Sequence, residues 1–377
     1  MTTARDVAEQ VIEAAARGVR LRVRGQGRWL DANRPVAADA ALSLADCAGI
    51  VEYVPGDFVI TVRAGTTLAE IAAAAAPHGQ WLPLDPFGGD EGTIGATVAT
   101  ASCGPHAGAF GPARDHVLGV EFVTGTGDIV RGGGRVVKNV AGFDLVRLVT
   151  GAWGTLGAIT EVTLRLRARP AAAETLALGL DEDPARIDAL WRALRALETA
   201  PLACELVNGA LAERLELPGG SVLLVRIGGN AELMRAQRAA LAELGALRAI
   251  SELVWLRLRA ADPARAWSWR LSRRPSAFAD TWTAARRAVD ASGGGWVCGS
   301  PARDVVRCAV PAAAGADAAL ATQALALPFA GACIGEVLPA AAWTALAPAA
   351  ADPLSAGIRR RFDPRGVLNP GIFGAAA

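Results

Sequence analysis

The chain has 377 residues, of which 52% are hydrophobic and 20% are charged, a balance typical of a globular protein. This length exceeds what one ordinary core accommodates, so we expect two domains. The net charge of +1 implies no basic patch, which argues against nucleic acid as a partner.

The N-terminal residues and the cysteines restrict the class further. Residues 1–20 carry charges at short intervals and predict an amphipathic helix instead of a signal peptide. The most apolar run, 328–351, is interrupted by Glu336 and several prolines, so we do not expect it to span a membrane. We expect a cytoplasmic protein whose contact with the inner face of the cell membrane is only indirect, through partners. The six cysteines include no C-x-x-C pair, which argues against a metal or iron–sulfur site in this chain.

In the first half, short strands alternate with glycine-rich loops. Residues 20–24 predict a strand that runs into the glycine loop "RGQGRW", and residues 50–65 predict two strands joined by a Pro-Gly turn. Residues 66–79 predict a helix that begins at a capping threonine. A Gly- and Pro-rich segment follows at 80–105, then a hairpin at 117–133 and a strand that stops at Pro170.

After Pro170 the pattern changes. The segments "ETLALGL", "SVLLVRIGG" and "LVWLRLR" predict strands, and helices are expected between them near 184–198 and 231–244. Such alternation predicts a separate α+β lobe with an open sheet, up to about residue 335. The tail predicts a helix, "DPLSAGIRRRF", and a loop at 363–373.

Three glycine clusters lie in the first half: Gly25 with Gly27, Gly92 with Gly95, and Gly151 with Gly154 and Gly157. Glycine lets a backbone approach a ligand closely, and successive N–H groups in such loops bind phosphates. The Walker and Rossmann patterns are absent. The clusters therefore favour an extended dinucleotide lying across several loops, and plain turn glycines are the alternative.

Four stretches carry a family resemblance: "PLDPFGGDEGTIGATVATASCGP", "GAFGPARDHVLGVEFVTGTGDIV", "GGRVVKNVAGFDLVRLVTGAWGTLGAITEVTLRL" and "FDPRGVLNPG". They resemble the FAD-linked oxidase family of the p-cresol methylhydroxylase (PCMH) type, and within it the FAD-binding E subunit of glycolate oxidase. The resemblance covers roughly residues 20–170 and 353–373.

The resemblance implies an α+β fold. A two-part PCMH-type FAD-binding domain (1–170) would be followed by an α+β cap domain with an open antiparallel sheet (171–345). A C-terminal helix and loop (346–377) would return to the FAD domain.

The resemblance also implies cofactor-binding roles for residues that match the family's pyrophosphate loops, its flavin-facing positions and its C-terminal motif. They are Arg24, Gly25, Gly27, Leu84, Asp85, Thr93, Ile94, Gly95, Ser102, Gly104, Gly111, Lys138, Gly154, Thr155, Gly157, Ile159 and Asn369. The first loop departs from the family, because Arg28 and Trp29 stand where a glycine and then a threonine or serine are usual.

Lys138 is the only lysine of the chain. With Asn139 it matches the family's KN-x-AG-[YF]-D motif, and Asp144 is its expected partner. A compact ammonium and a planar guanidinium are not interchangeable in a tight site. We therefore favour a functional or structural requirement for Lys138, with chance survival as the alternative.

The three histidines, at 78, 106 and 116, do not lie where some relatives tether FAD, so we expect non-covalent FAD. The family's 2-hydroxy-acid dehydrogenases use histidines of the cap as metal ligands and as the catalytic base. This chain has no histidine after residue 116, and we assign no catalytic residue. Arg270, Arg273 and Arg274 could clamp a carboxylate, although a solvated face is the expected role.

The sequence thus predicts an FAD-dependent oxidoreductase subunit of a glycolate oxidase complex, converting glycolate to glyoxylate. A larger FAD-containing sister subunit would meet the 2-hydroxy acid, and an iron–sulfur subunit would carry electrons onward. The alternatives are a self-sufficient FAD-dependent 2-hydroxy-acid dehydrogenase and a flavin-free scaffold subunit.

Overall fold

The computed structural model describes residues 2–27, 35–134, 143–262, 266–311, 329–338, 342–343 and 353–373. The strands of these ranges, in chain order, are β1 (Leu21–Arg24), β2 (Ala40–Ser43), β3 (Ile50–Val54), β4 (Val59–Arg63), β5 (Gln80–Trp81), β6 (Val117–Val123), β7 (Ile129–Gly133), β8 (Ala158–Arg165), β9 (Arg167–Ala168), β10 (Ala172–Leu180), β11 (Ala203–Val207), β12 (Ser221–Gly229), β13 (Leu247–Ile250), β14 (Ala266–Ser272), β15 (Trp296–Ser300), β16 (Val305–Pro311) and β17 (Ala332–Val337). The α-helices are α1 (Ala4–Arg17), α2 (Leu68–Ala75), α3 (Ile94–Ala99), α4 (Ala107–Phe110), α5 (Leu145–Val149), α6 (Pro184–Ala196), α7 (Gly209–Arg214), α8 (Ala231–Ala242), α9 (Leu253–Arg259), α10 (Phe278–Ala291) and α11 (Pro353–Phe362).

The first sheet is antiparallel, with strand order β3-β4-β8-β6-β7. Its inner face meets α2 and α3 in one core, where Ile60, Val162 and Ile94 are fully buried. The hairpins predicted at 50–65 and 117–133 are confirmed as β3–β4 and β6–β7. Thr67 caps α2, accepting from the backbone N–H of Glu70, as the sequence predicted.

A two-stranded parallel sheet, β1–β2, lies beside α1 and brings the two ends of the chain together. The backbone N–H of Leu21 donates to the carbonyl of Val367 (2.7 Å), and that of Asn369 donates to the carbonyl of Leu21 (2.9 Å). The C-terminal loop is therefore hydrogen-bonded to β1 at the N-terminal end of the fold.

The second sheet is an open antiparallel sheet of eight strands, ordered β13-β10-β12-β11-β15-β16-β14-β17. One face packs against α6, α8 and α10, with Trp269, Phe278 and Trp282 buried among them. The other face carries α7 and α9 and looks towards the first half of the chain. We call the described part of 172–338 the cap.

One predicted element is wrong. The segment "LVWLRLR", expected as a strand, forms α9. Its buried residues are Val254, Trp255, Leu258 and Arg259, a spacing of three and four that fits one face of a helix and not the alternation of a strand.

In the described ranges we find no helix both long and apolar enough to cross a membrane.

Candidate cofactor site

A cleft lies where the end of β1, the start of α3, the loop before β8 and the C-terminal loop meet. Its volume is about 1190 Å³, including the part open to solvent. Eight glycines are among the described residues that line it: Gly25, Gly27, Gly88, Gly89, Gly92, Gly95, Gly154 and Gly157. Backbone therefore forms much of its surface.

Several of these glycines are required by close packing against neighbouring residues of the cleft wall and core. A Cβ atom built on Gly95 would lie 2.6 Å from the Cβ of Ala64, and one on Gly157 would collide with the ring of Phe122. A Cβ atom on Gly25 would collide with the hydroxyl of Thr93. Because any larger residue would push these wall segments apart, glycine keeps the cleft narrow and lined by backbone.

Asn369 joins two walls of the cleft. Its Oδ1 accepts from the backbone N–H of Val23 (2.8 Å), and its Nδ2 donates to the carbonyl of Trp153 (2.7 Å). Asn369 and Trp153 both have a left-handed backbone, with φ of 46° and 54°. Such a conformation is uncommon outside glycine and needs support from surrounding contacts.

Of the residues assigned by resemblance, ten line the cleft: Arg24, Gly25, Gly27, Thr93, Gly95, Ser102, Gly154, Gly157, Ile159 and Asn369. Six other assigned residues that the structure describes do not line the cleft: Leu84, Asp85, Ile94, Gly104, Gly111 and Thr155.

Ile94 lies in the core, and Leu84 is buried there as well. Gly104 packs against the carbonyl of Asp85, Gly111 packs against Asp115, and the hydroxyl of Thr155 donates to the carbonyl of Ala152. Lys138 is outside the described residues. Asp144, its expected partner, caps α5 and pairs with Arg147 at 3.2 Å.

The cleft lining that was not assigned from the sequence includes Arg22, Phe87 to Gly89, Trp153 and Ile372. Phe87 to Gly89 belongs to a stretch that carries the family resemblance and is rich in glycine, so the sequence did offer a signal for it.

The charge of the cleft favours an anion. Arg22 and Arg24 line it, and no acidic side chain is among its described lining residues. Arginine binds diphosphate oxygens well through its fork of N–H donors. A large backbone-lined cleft with this charge fits the diphosphate of a dinucleotide.

The histidines lie apart from the cleft. His116 is buried and its Nε2 lies 3.3 Å from the carbonyl of Gly111; burial lowers the pKa of this imidazole. His78 is exposed and contacts the Tyr53 ring edge-on. His106 sits between Asp85 and Arg226, at the contact between the first half of the chain and the cap.

Two buried carboxylates lie in the cap sheet, Glu205 and Glu336. Burial raises the pKa of the Glu205 carboxyl to about 8. The Sγ of Cys298 lies 3.2 Å from its Oε2 and donates to it, and this contact, Arg303 and Ser300 lower the pKa by less than burial raises it. Sequence reasoning missed this because burial is a tertiary property.

Glu336 is buried between two arginines. The Nε atoms of Arg270 and Arg307 lie 2.7 and 2.8 Å from its two oxygens. Arg270 is therefore not on a solvated face, in contrast to the expectation. Arg273 pairs with Asp280 at 3.4 Å, and Arg274 is exposed.

The fold and the glycine-lined cleft define a protein with a PCMH-type FAD-binding fold. Residues 1–133 match the family described as "FAD binding domain". This part of the chain is therefore an FAD-binding domain, and its cofactor is FAD.

Two curated relatives and one solved structure illustrate the similarity. The chain is 40% identical over 223 residues to glycolate oxidase subunit GlcE of Escherichia coli (strain K12), covering 58% of this chain and 62% of that protein. It is 37% identical over 127 residues to glycolate oxidase subunit GlcD of Bacillus subtilis (strain 168), covering 34% of this chain and 27% of that protein. The chain thus spans less than two thirds of the length of these relatives.

The fold is similar to that of alkyldihydroxyacetonephosphate synthase, with a TM-score of 0.70 at 16% identity. The match covers 98% of this chain and 75% of that one.

Proposed function

We propose that the chain is the FAD-binding subunit of a complex that oxidises glycolate to glyoxylate. The observation that carries this proposal is the similarity to a glycolate oxidase subunit, 40% identical over 223 residues. The domain division that we propose is 1–170 for FAD, 171–345 for the cap and 346–377 for the returning tail.

The ten lining residues assigned from the sequence would hold FAD, which when bound supplies a two-electron acceptor. The arginines at 22 and 24 would face its diphosphate, and the glycine backbones would lie against its length. No histidine occurs next to the first glycine loop, so we propose that FAD is bound non-covalently.

Oxidation of a 2-hydroxy acid requires a base for the hydroxyl proton, and loss of such a base typically costs roughly 10²–10⁴ in rate. None of the three histidines is among the described residues that line the cleft. Glu336 is held by two arginines, and Glu205, with its pKa of about 8, is mostly protonated at pH 7. These placements support division of labour, in which a sister subunit meets the substrate.

The partners that we propose are a larger FAD-containing sister subunit and an iron–sulfur subunit that receives the electrons. The names of the two relatives, subunits GlcE and GlcD, support an assembly of several chains.

The test is anaerobic mixing of the flavin-loaded chain with glycolate, followed by flavin absorbance. Alone, the chain should keep its oxidised spectrum, and it should bleach once the sister subunit is added. Bleaching of the isolated chain within seconds would instead support a self-sufficient dehydrogenase.

For the second candidate, the raised pKa of Glu205 would suit proton transfer near neutral pH, but Glu205 is buried in β11 and is not among the described residues that line the cleft. If Glu205 were the base, Glu205→Gln would abolish any bleaching by the isolated chain. A folded chain with no flavin absorbance would favour the scaffold alternative.

A further inference from the structure

The wall of the cleft formed by residues 87–90, here called the 87–90 loop, is hydrogen-bonded to the cap through Arg259. Phe87, Gly88 and Gly89 line the cleft, whereas Arg259 is not among the described residues that do. Arg259 is the last residue of α9.

Arg259 contacts the 87–90 loop at two points. Its backbone carbonyl accepts from the N–H of Gly88 at 2.8 Å. Its guanidinium donates to both carboxylate oxygens of Asp90, with Nη1–Oδ1 of 2.5 Å and Nη2–Oδ2 of 3.1 Å. The Arg259 side chain is only 9% exposed, so this two-bond pair is shielded from solvent on the cap side.

The loop has few other means of keeping its shape. Gly88 and Gly89 both have left-handed backbones, with φ of 98° and 86°, and glycine imposes the least conformational restriction. Its far end is fixed to α2, because the N–H of Ala69 donates to the carbonyl of Asp90. The loop is thus held between α2 on one side and α9 on the other.

Phe87 adds an apolar contact between the loop and the cap. Its ring packs against the cap cluster and lies 4.8 Å from the guanidinium carbon of Arg307. Arg307 is itself fixed by Asp262 and Glu336. The cap surface under the loop is therefore a rigid one.

We propose that Arg259 is a positioning residue for FAD: by holding the 87–90 loop against the cap, it sets how tightly the cleft retains the cofactor. Cofactor affinity is then coupled to the cap through a residue far from the glycine loops in sequence. The inference concerns FAD retention alone and does not depend on glycolate as the substrate.

The test measures FAD affinity of the whole chain, by titrating FAD-free protein and following the quenching of flavin fluorescence. Arg259→Ala should raise the dissociation constant of FAD about tenfold or more, since a charge-assisted pair typically contributes more than one decade. Asp90→Ala should do the same, and the double variant should be no weaker than either single one. Arg259→Lys should recover part of the affinity.

Arg257→Ala is the matched control, because Arg257 lies on the same helix and pairs with the exposed Glu216 away from the cleft. It should leave FAD affinity unchanged. The melting temperature of the FAD-free protein distinguishes a loss of FAD affinity from a loss of overall stability. If Arg259→Ala does not fold, Asp90→Ala tests the same pair, because Asp90 is a half-exposed loop residue.

Unchanged FAD affinity in Arg259→Ala, or fully additive losses in the double variant, would overturn the proposal. If Gly95→Val also left FAD binding intact, the placement of the cleft would be at fault. If Gly95→Val abolished binding and Arg259→Ala did not, only the role of Arg259 would be wrong.

Discussion

His106 Nε2 lies 3.0 Å from Nη1 of Arg226, and this contact joins the first half of the chain to the cap. A guanidinium can only donate, so Nε2 must accept, and the ring proton of a neutral imidazole belongs on Nδ1. Nδ1 lies 2.8 Å from a carboxylate oxygen of Asp85. His106 therefore bridges the Asp85 carboxylate of the first half of the chain and the Arg226 guanidinium of the cap.

His106→Ala should lower the free energy of unfolding by about 1–3 kcal/mol, because Asp85 and Arg226 each lose one partner. The loss stays moderate since Arg226 keeps Glu252 at 2.7 Å and Asp85 keeps the backbone N–H of residue 106. Urea denaturation would measure the change. His78→Ala, at an exposed histidine, should stay within about 0.5 kcal/mol of the parent chain. Equal effects at the two positions would contradict the bridging role.

Gly95→Val and Gly157→Val should abolish FAD binding. The added side chains would collide with Ala64 and Phe122 and force the cleft wall to shift. Neither glycine has a left-handed backbone, so the expected effect is steric and does not arise from backbone conformation. FAD content per folded chain is the measurement.

Gly179→Val is the control for these variants, because a Cβ atom at this exposed strand position meets open space. It should retain FAD. Full FAD occupancy in either cleft variant would show that the loop concerned does not border the cofactor.

Glu205→Gln should change how stability depends on pH. The folded-state pKa of about 8 lies above the ordinary value of 4.5, so the native state holds a proton that the unfolded state releases. The stabilising contribution of this protonation is fully present below pH 4.5 and is lost as the pH rises to about 8.

Between these limits the free energy of unfolding of the parent chain should fall by up to about 1.4 kcal/mol per pH unit because of this one group. The Gln variant should not show this fall. The variant should become the more stable protein towards pH 8, since its amide carbonyl can still accept from Cys298. Denaturation midpoints at pH 5, 6.5 and 8 would test this. Parallel profiles for the two proteins would show that Glu205 is ionised when folded.

Lys138→Arg should perturb the protein more than a typical surface exchange, which shifts stability within about 0.5 kcal/mol. Lys138 is outside the described residues, so this expectation rests on the sequence motif and on the different shapes of the two cations. Arg17→Lys, at an exposed pair with Glu13, is the control. Unchanged melting temperature and FAD content would show that lysine is not required at position 138.

Local patterns determined much of the fold. The hairpins at 50–65 and 117–133 and the capped helix α2 follow from residues close together in sequence, because turn and capping contacts span only a few residues. The glycine loops were likewise recognisable from spacing, and ten of the residues assigned from the resemblance line one cleft.

Tertiary structure decided what depends on distant partners. Whether "LVWLRLR" became a strand or a helix was settled by which residues found a buried face, since short apolar runs fit both periods. Arg259 and Asp90 are 169 positions apart in the sequence, so their pairing cannot be predicted from local spacing. The pKa of Glu205 is set by burial in the cap sheet, because desolvation depends on everything packed around a group and not on its neighbours in sequence.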